Sequence, residues 1–257
     1  MLLFSSCAGT EGTEAENKAG LSTEAYSRKP LTENQEKILR SCGMTSRKIE
    51  EMKEEGVPEL TGEFVTAAEA VLEKMQARYG MSFMVQGGTI PDWSSADFTF
   101  MLCAAEGELA GKTFDAAYRL ESSGERRLYE KYYTLRRRME VQKEVQNIAD
   151  QLGTGIRIIA YAEGEIGENI LPGSEEAIQS IRIDILGFVP KETEEELIQS
   201  AAESLYEEIK TYEVIDFRVY RVRHNSTLGR LVDYESIGEV FPTGIPEATD
   251  YVYTGRN

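Results

Sequence analysis

The chain has 257 residues, with 28 Lys and Arg against 45 Asp and Glu, and a formal net charge of −17. That balance argues against a nucleic-acid partner, because phosphate binding rests on clustered Lys and Arg, and against adsorption to anionic lipid. No apolar run approaches the roughly 20 residues of a membrane-spanning helix, and three cysteines with one histidine cannot assemble the familiar Cys/His zinc patterns.

The chain opens Met1-Leu2-Leu3-Phe4-Ser5-Ser6-Cys7, an apolar stretch, two small residues and a cysteine. Residues 8–30 follow, rich in Gly, Thr, Glu, Ser and Ala, the composition of a flexible tether. Phe4-Ser5-Ser6-Cys7 resembles the lipobox of bacterial lipoproteins, and the whole is similar to uncharacterised lipoproteins of Gram-positive bacteria. The resemblance implies that the Cys7 thiol carries a diacylglycerol, that the signal is cut before it, and that the protein works outside the cytoplasm, anchored to the membrane. Only six residues precede Cys7 and none is basic, so a longer signal upstream of Met1 is expected. Residues 1–30 are thus read as signal remnant and tether.

Residues 31–122 read as a helical module followed by three strands. Thr32 to Gln35 fits a capping box, and a second short helix is expected from Thr45 to Glu55. A stronger helix, Gly62 to Tyr79, places Phe64, Ala68, Val71, Leu72 and Met75 on one face and ends at Gly80. Alternation then predicts strands at 81–86, 97–105 and 112–120. The element order is similar to cystatin-like and NTF2-like arrangements.

Residues 123–257 read as a long helix from Gly124 to Leu152, strands at 156–162 and 177–189, a helix from Thr193 to Lys210, a strand at 214–222 and an irregular tail from Asn225. The helix at 193–210 is expected to bury Leu197, Ala201, Leu205 and Ile209. Counted from Lys112, this is the strand–helix–strand–strand–helix–strand order of a ferredoxin-like half. The fold class is therefore α+β, with helices packed on antiparallel sheets.

No phosphate-binding fingerprint or nucleophile elbow is present, since Gly153-Thr154-Gly155 precedes a strand instead of opening a helix. His224 is the only imidazole, expected at a strand end. The loop Glu163-Gly164-Glu165-Ile166-Gly167-Glu168 concentrates acids between two strands, and Glu163, Glu165 and Glu168 are candidates for a cation site or for carboxylate-pair hydrolysis, although the pattern of an EF-hand is absent. Residues 123–143 carry seven bases against three acids in a strongly acidic chain. Within them Arg136, Arg137 and Arg138 are candidates for binding an acidic ligand through planar guanidinium groups. Trp93, the only tryptophan, lies in an expected turn and is a candidate ligand anchor.

These features point to a non-enzymatic cell-surface lipoprotein that binds or assembles with an envelope polymer or protein, without a cofactor. An envelope hydrolase working with paired carboxylates, and a cytosolic protein with no anchor, are the two alternatives.

Overall fold

The computed structural model describes residues 26–27, 30–91, 97–210, 214–245 and 249–256, and shows an α+β protein with two main sheets. Cys7 and Trp93 lie outside the described residues.

A two-residue strand β1 (Tyr26–Ser27) pairs with β2 (Val57–Pro58). Between them lie helices α1 (Glu33–Ser41) and α2 (Ser46–Glu55). Both are capped as their sequences require. The Thr32 hydroxyl accepts from Gln35 N–H at 3.2 Å while the Gln35 side chain accepts from Thr32 N–H at 3.1 Å, and Thr45 accepts from Lys48 N–H at 3.3 Å. Helix α3 (Glu59–Tyr79) starts three residues earlier than expected and stops at Gly80, whose φ of 67° is the left-handed conformation that a helix end takes most easily with glycine.

Strands β3 (Phe83–Thr89), β4 (Phe98–Ala104) and β5 (Thr113–Leu120) form the expected antiparallel meander. It does not stop at three strands. The segment expected to begin a long helix turns back as β6 (Arg126–Glu130), paired with β5, and helix α4 starts only at Tyr132 and runs to Gln151. Strand pairing wins there because Leu128 and Glu130 alternate inward while Arg127 and Tyr129 lie on the other face, and Tyr118 lies opposite Leu128. Strand β7 (Arg157–Gly164) then opens the second sheet, while β8 (Ile166–Gly167) returns to the first and pairs with β6. The first sheet has the order β3-β4-β5-β6-β8.

The expected strand at 177–189 divides into a one-turn helix α5 (Glu175–Gln179) and β9 (Ile181–Val189). Helix α6 (Glu195–Ile209) leads to β10 (Val214–Val222), which lies parallel to β9. The cap expected at Thr193 is not made; Glu194 takes the N-cap position without a side-chain hydrogen bond. The tail is not irregular. A 3-10 turn (Asn225–Arg230), helix α7 (Tyr234–Val240) and strand β11 (Thr249–Arg256) complete the chain, and β11 pairs with β10. The second sheet has the order β7-β9-β10-β11. Because β5 belongs to the other sheet and β9 lies directly beside β10, the ferredoxin-like half is not formed.

Helix α4 serves both cores. Tyr132 and Leu135 pack with α3 and the first sheet, whereas Tyr133, Val141, Val145 and Ala149 pack with α6 and one face of the second sheet. On the opposite face, Leu231, Ile237 and Phe241 from the tail cover Ile159, Leu186 and Phe188.

The same helix closes the β7 edge of the second sheet. Gln142 and Gln146, one turn apart, accept from the N–H groups of Ala160 at 2.9 Å and Ile158 at 2.8 Å, and Gln146 also donates to the Ile156 carbonyl at 3.1 Å. Two amides thus take up backbone groups that an edge strand would otherwise offer to another strand. Replacing Gln146 with Ala strands part-buried backbone groups, with an expected loss of about 1–3 kcal/mol in urea unfolding. Unchanged stability would mean that water reaches this edge.

Candidate functional site

The acidic loop is a strap between the two sheets. Its first residues pair with β9 and its last with β6, and Gly164 makes the crossing. Gly164 has a φ of 114°, and a Cβ there would lie 2.4 Å from the Ser180 carbonyl oxygen, so only glycine fits. Each acid has its own partner. Glu163 accepts from the Tyr161 hydroxyl, Glu165 forms a two-point pair with Arg119, and Glu168 pairs with Lys74 while accepting from Leu128 N–H at 3.2 Å. Burial works to raise the Glu168 carboxyl, but Lys74 and the Leu128 N–H outweigh it and hold that carboxyl below the ordinary range. Carboxylates committed one by one to separate partners are poorly placed to share a proton or surround a cation. Among the described residues no cluster of three or more potential metal ligands occurs.

Arg78 of α3 holds the strap from behind, donating to the carbonyls of Gly167 at 2.9 Å and of Ile170. Its other terminal nitrogen lies 3.6 Å from Glu130, whose carboxyl is fully buried and accepts from the Tyr79 hydroxyl at 2.5 Å and from Tyr133 N–H at 3.1 Å. Burial pushes Glu130 upward by more than these donors pull it down, and also raises the Tyr79 hydroxyl. Tyr79, Tyr132, Phe83 and Phe114 pack edge to face around the group, with ring centroids 4.6–6.0 Å apart in the edge-to-face pairs.

The three arginines of α4 have separate fates. Arg136 and Arg137 both pair with Glu140, at 2.8 and 3.4 Å, on their own helix. Arg138 turns inward and is 6% exposed, with Glu235 of α7 at 3.4 Å. His224 is an exposed N-cap of the 3-10 turn. Cys42 and Cys103 are free thiols, and burial pushes the Cys42 thiol up.

One concavity was not anticipated. It is a cleft of about 860 Å³ between α1 and α3 on one side and β4, β5 and β6 on the other. Gly62, Thr66 and Ala70, one turn apart on α3, form a low wall, and Phe98, Tyr118 and Leu120 supply the apolar opposite side. Glu59 and Glu63 stand at one part of its lining, and Arg126, its guanidinium 4.2 Å over the Phe98 ring, at another. The spacing of Gly62, Thr66 and Ala70 was the available signal, since small residues every four positions leave a trough along a helix. Phe98 and Tyr118 were legible only as strand residues.

No family model matches the chain, and no curated protein matches it. Among solved structures, one described as a DUF5037 family protein from Ruminococcus gnavus is similar at 11% identity. The match covers 72% of this chain and 88% of that one with a TM-score of 0.37, a likeness too slight to carry a functional argument.

Replacing Arg78 with Met leaves Glu130 and two carbonyls without their cation, and is expected to cost about 3–5 kcal/mol in urea unfolding. Glu130→Gln isolates the pH dependence. The folded state holds the Glu130 proton over a window in which the unfolded chain releases it. Wild-type stability relative to Glu130→Gln should therefore fall as pH rises from the ordinary carboxylate range through the raised value. A flat or rising difference across a pH series would show that Glu130 is charged in the folded protein.

Proposed function

We propose that this protein is a non-enzymatic, lipid-anchored binding module of the cell envelope, and that its cleft receives an extended basic segment of a protein partner. The observation that carries the reading is the cleft itself. Its volume of about 860 Å³ lies within the ~300–1,000 Å³ of small-ligand sites, and it combines apolar walls with a few charged groups. Glu59 and Glu63 suit a Lys or Arg side chain, and Tyr118 and Leu120 an apolar one. A net charge of −17 adds long-range attraction for a cationic partner. The pairing of Glu163, Glu165 and Glu168 with separate groups weighs against the hydrolase alternative. Anchoring at Cys7 rests on the lipobox resemblance and on the tether-like composition of residues 8–30.

Ala70→Trp fills the trough from a half-buried position of α3. In fluorescence anisotropy against labelled peptides of alternating basic and apolar residues, wild type should bind and Ala70→Trp should bind at least about tenfold more weakly. Equal isotherms, or none from wild type, would remove the cleft from consideration. For the anchor, cells expressing the gene with its upstream frame and fed a tagged palmitate should yield labelled, membrane-bound wild type and unlabelled Cys7→Ser. Unlabelled protein in both would end the envelope reading.

A further inference from the structure

A second, smaller hollow of about 240 Å³ lies where the two sheets meet, lined by residues of β4, β5, α4, β7 and α7. We propose that it binds a small oxyanion, a carboxylate or phosphate group, on Arg138 with Lys131 beside it, and that Glu235 is the group the anion displaces.

Arg138 carries the inference. Its side chain is 7% exposed, it lines the hollow, and its guanidinium is under-used. Among the described residues the buried Nε has no hydrogen-bond acceptor, and Nη2 has only the two Glu235 oxygens at 3.4 and 3.5 Å. A guanidinium presents five N–H donors in a fork that matches a planar or tetrahedral oxyanion, and a buried cation so sparsely accepted is costly unless something completes it. Glu235 is a poor fit for that role. Its side chain is 58% exposed on a seven-residue helix, and it reaches Arg138 at the outer limit of hydrogen bonding.

The sign of the ligand follows from which charges are buried. The two acids lining the hollow stand in solvent: Glu235 as above, and Asp115 at 69% exposure, 3.1 Å from Lys131. The nearly buried charge is the arginine. Lys131, Thr134 and Leu135 also place the beginning of α4 against the hollow, where the helix dipole favours an anion. A volume of 240 Å³ is below that of drug-sized sites, which suits a free ion or the acidic end of a larger ligand. Helix α7 has anchors besides Glu235. Asp233 caps it, accepting from Ser236 N–H at 3.2 Å and pairing with Lys112 at 3.0 Å, so Glu235 can swing away without unravelling its helix.

No residue lines both this hollow and the large cleft, so the two readings fail separately. The test is calorimetric titration of the full chain with inorganic phosphate and, in parallel, acetate, at constant ionic strength. Wild type should bind one of the two saturably at one site. Glu235→Gln, a change on an exposed side chain, removes the competing charge and should bind about fivefold to tenfold more tightly. Arg138→Lys keeps the charge but loses the fork and should bind about tenfold more weakly. The anion that shows this order identifies the headgroup. Absence of saturable binding in wild type and Glu235→Gln, or affinities that do not follow that order, would overturn the proposal.

Discussion

Glu130 is the point on which the two halves turn. It ends β6, two residues before α4 begins, so a single stretch of backbone passes from the first sheet into the helix that covers the second. A fully buried carboxyl has to be hydrogen-bonded, and its donors tie β6 to two helices: Tyr79 from α3 and Tyr133 from the first turn of α4, with Arg78, also of α3, close by. From that junction α4 sends Tyr132 and Leu135 into one core and Tyr133 and Val141 into the other. The aromatic side chains around Glu130 exclude water, which is also what raises its carboxyl.

The strap at 163–168 follows from the same geometry. Once β6 lies in the first sheet and β7 in the second, the chain leaving β7 passes the open edge of β6 and pairs with it. Its acids meet the cations that face that edge, Arg119 and Lys74, while Arg78 takes its carbonyls. An acidic, glycine-containing loop therefore serves as a clamp between sheets. Its charges are spent on position, and for that reason acid density alone was a misleading guide to chemistry. A glycine whose Cβ would strike a carbonyl is there for the crossing, not for a ligand.

What the sequence disclosed and what it concealed divide along local and non-local causes. The caps at Thr32 and Thr45, the stop at Gly80 and the alternation in β4 and β5 are local, and each is found where the residues place it. Strand β6 was hidden because Arg126 to Glu130 carries charges that suit a helix surface, and its strand state depends on β5 and on β8, some 40 residues away. In α6 the expected stripe began at Leu197, which is 61% exposed, whereas Ile198, Ala202, Leu205 and Ile209 are buried. A strict four-residue repeat drifts about 40° per step, and the steps of four, three and four from Ile198 stay on one face. The cap at Asp233 and the alternation in β11 were obscured by the glycines and prolines around them. Among site residues, a run of three arginines could not reveal that two would pair with Glu140 on their own helix while the third turned inward.

That distribution of arginines bears on the charge of the whole molecule. Several of the cations are drawn into the interior or the seam: Arg78 on the strap carbonyls, Lys74 and Arg119 on its acids, Arg138 beneath α7. Internal use of cations leaves the acidic excess on the exterior, where α6 shows it most plainly, with Glu195, Glu196, Glu203, Glu207 and Glu208 all exposed. Screening shortens that field to roughly 8 Å at physiological ionic strength. It can gather a basic partner near the surface but cannot orient it. Orientation has to come from sites where charge is fixed against an apolar wall, and the cleft between α3 and the first sheet, lined by Glu59 and Glu63 and with Arg126 over the Phe98 ring, meets that condition. The Arg138 hollow meets it with the opposite sign, because there the exterior acid is a competitor that a ligand must displace. On the proposed reading, a protein arranged in this way gathers cations broadly and takes an anion where it has kept an arginine out of the solvent.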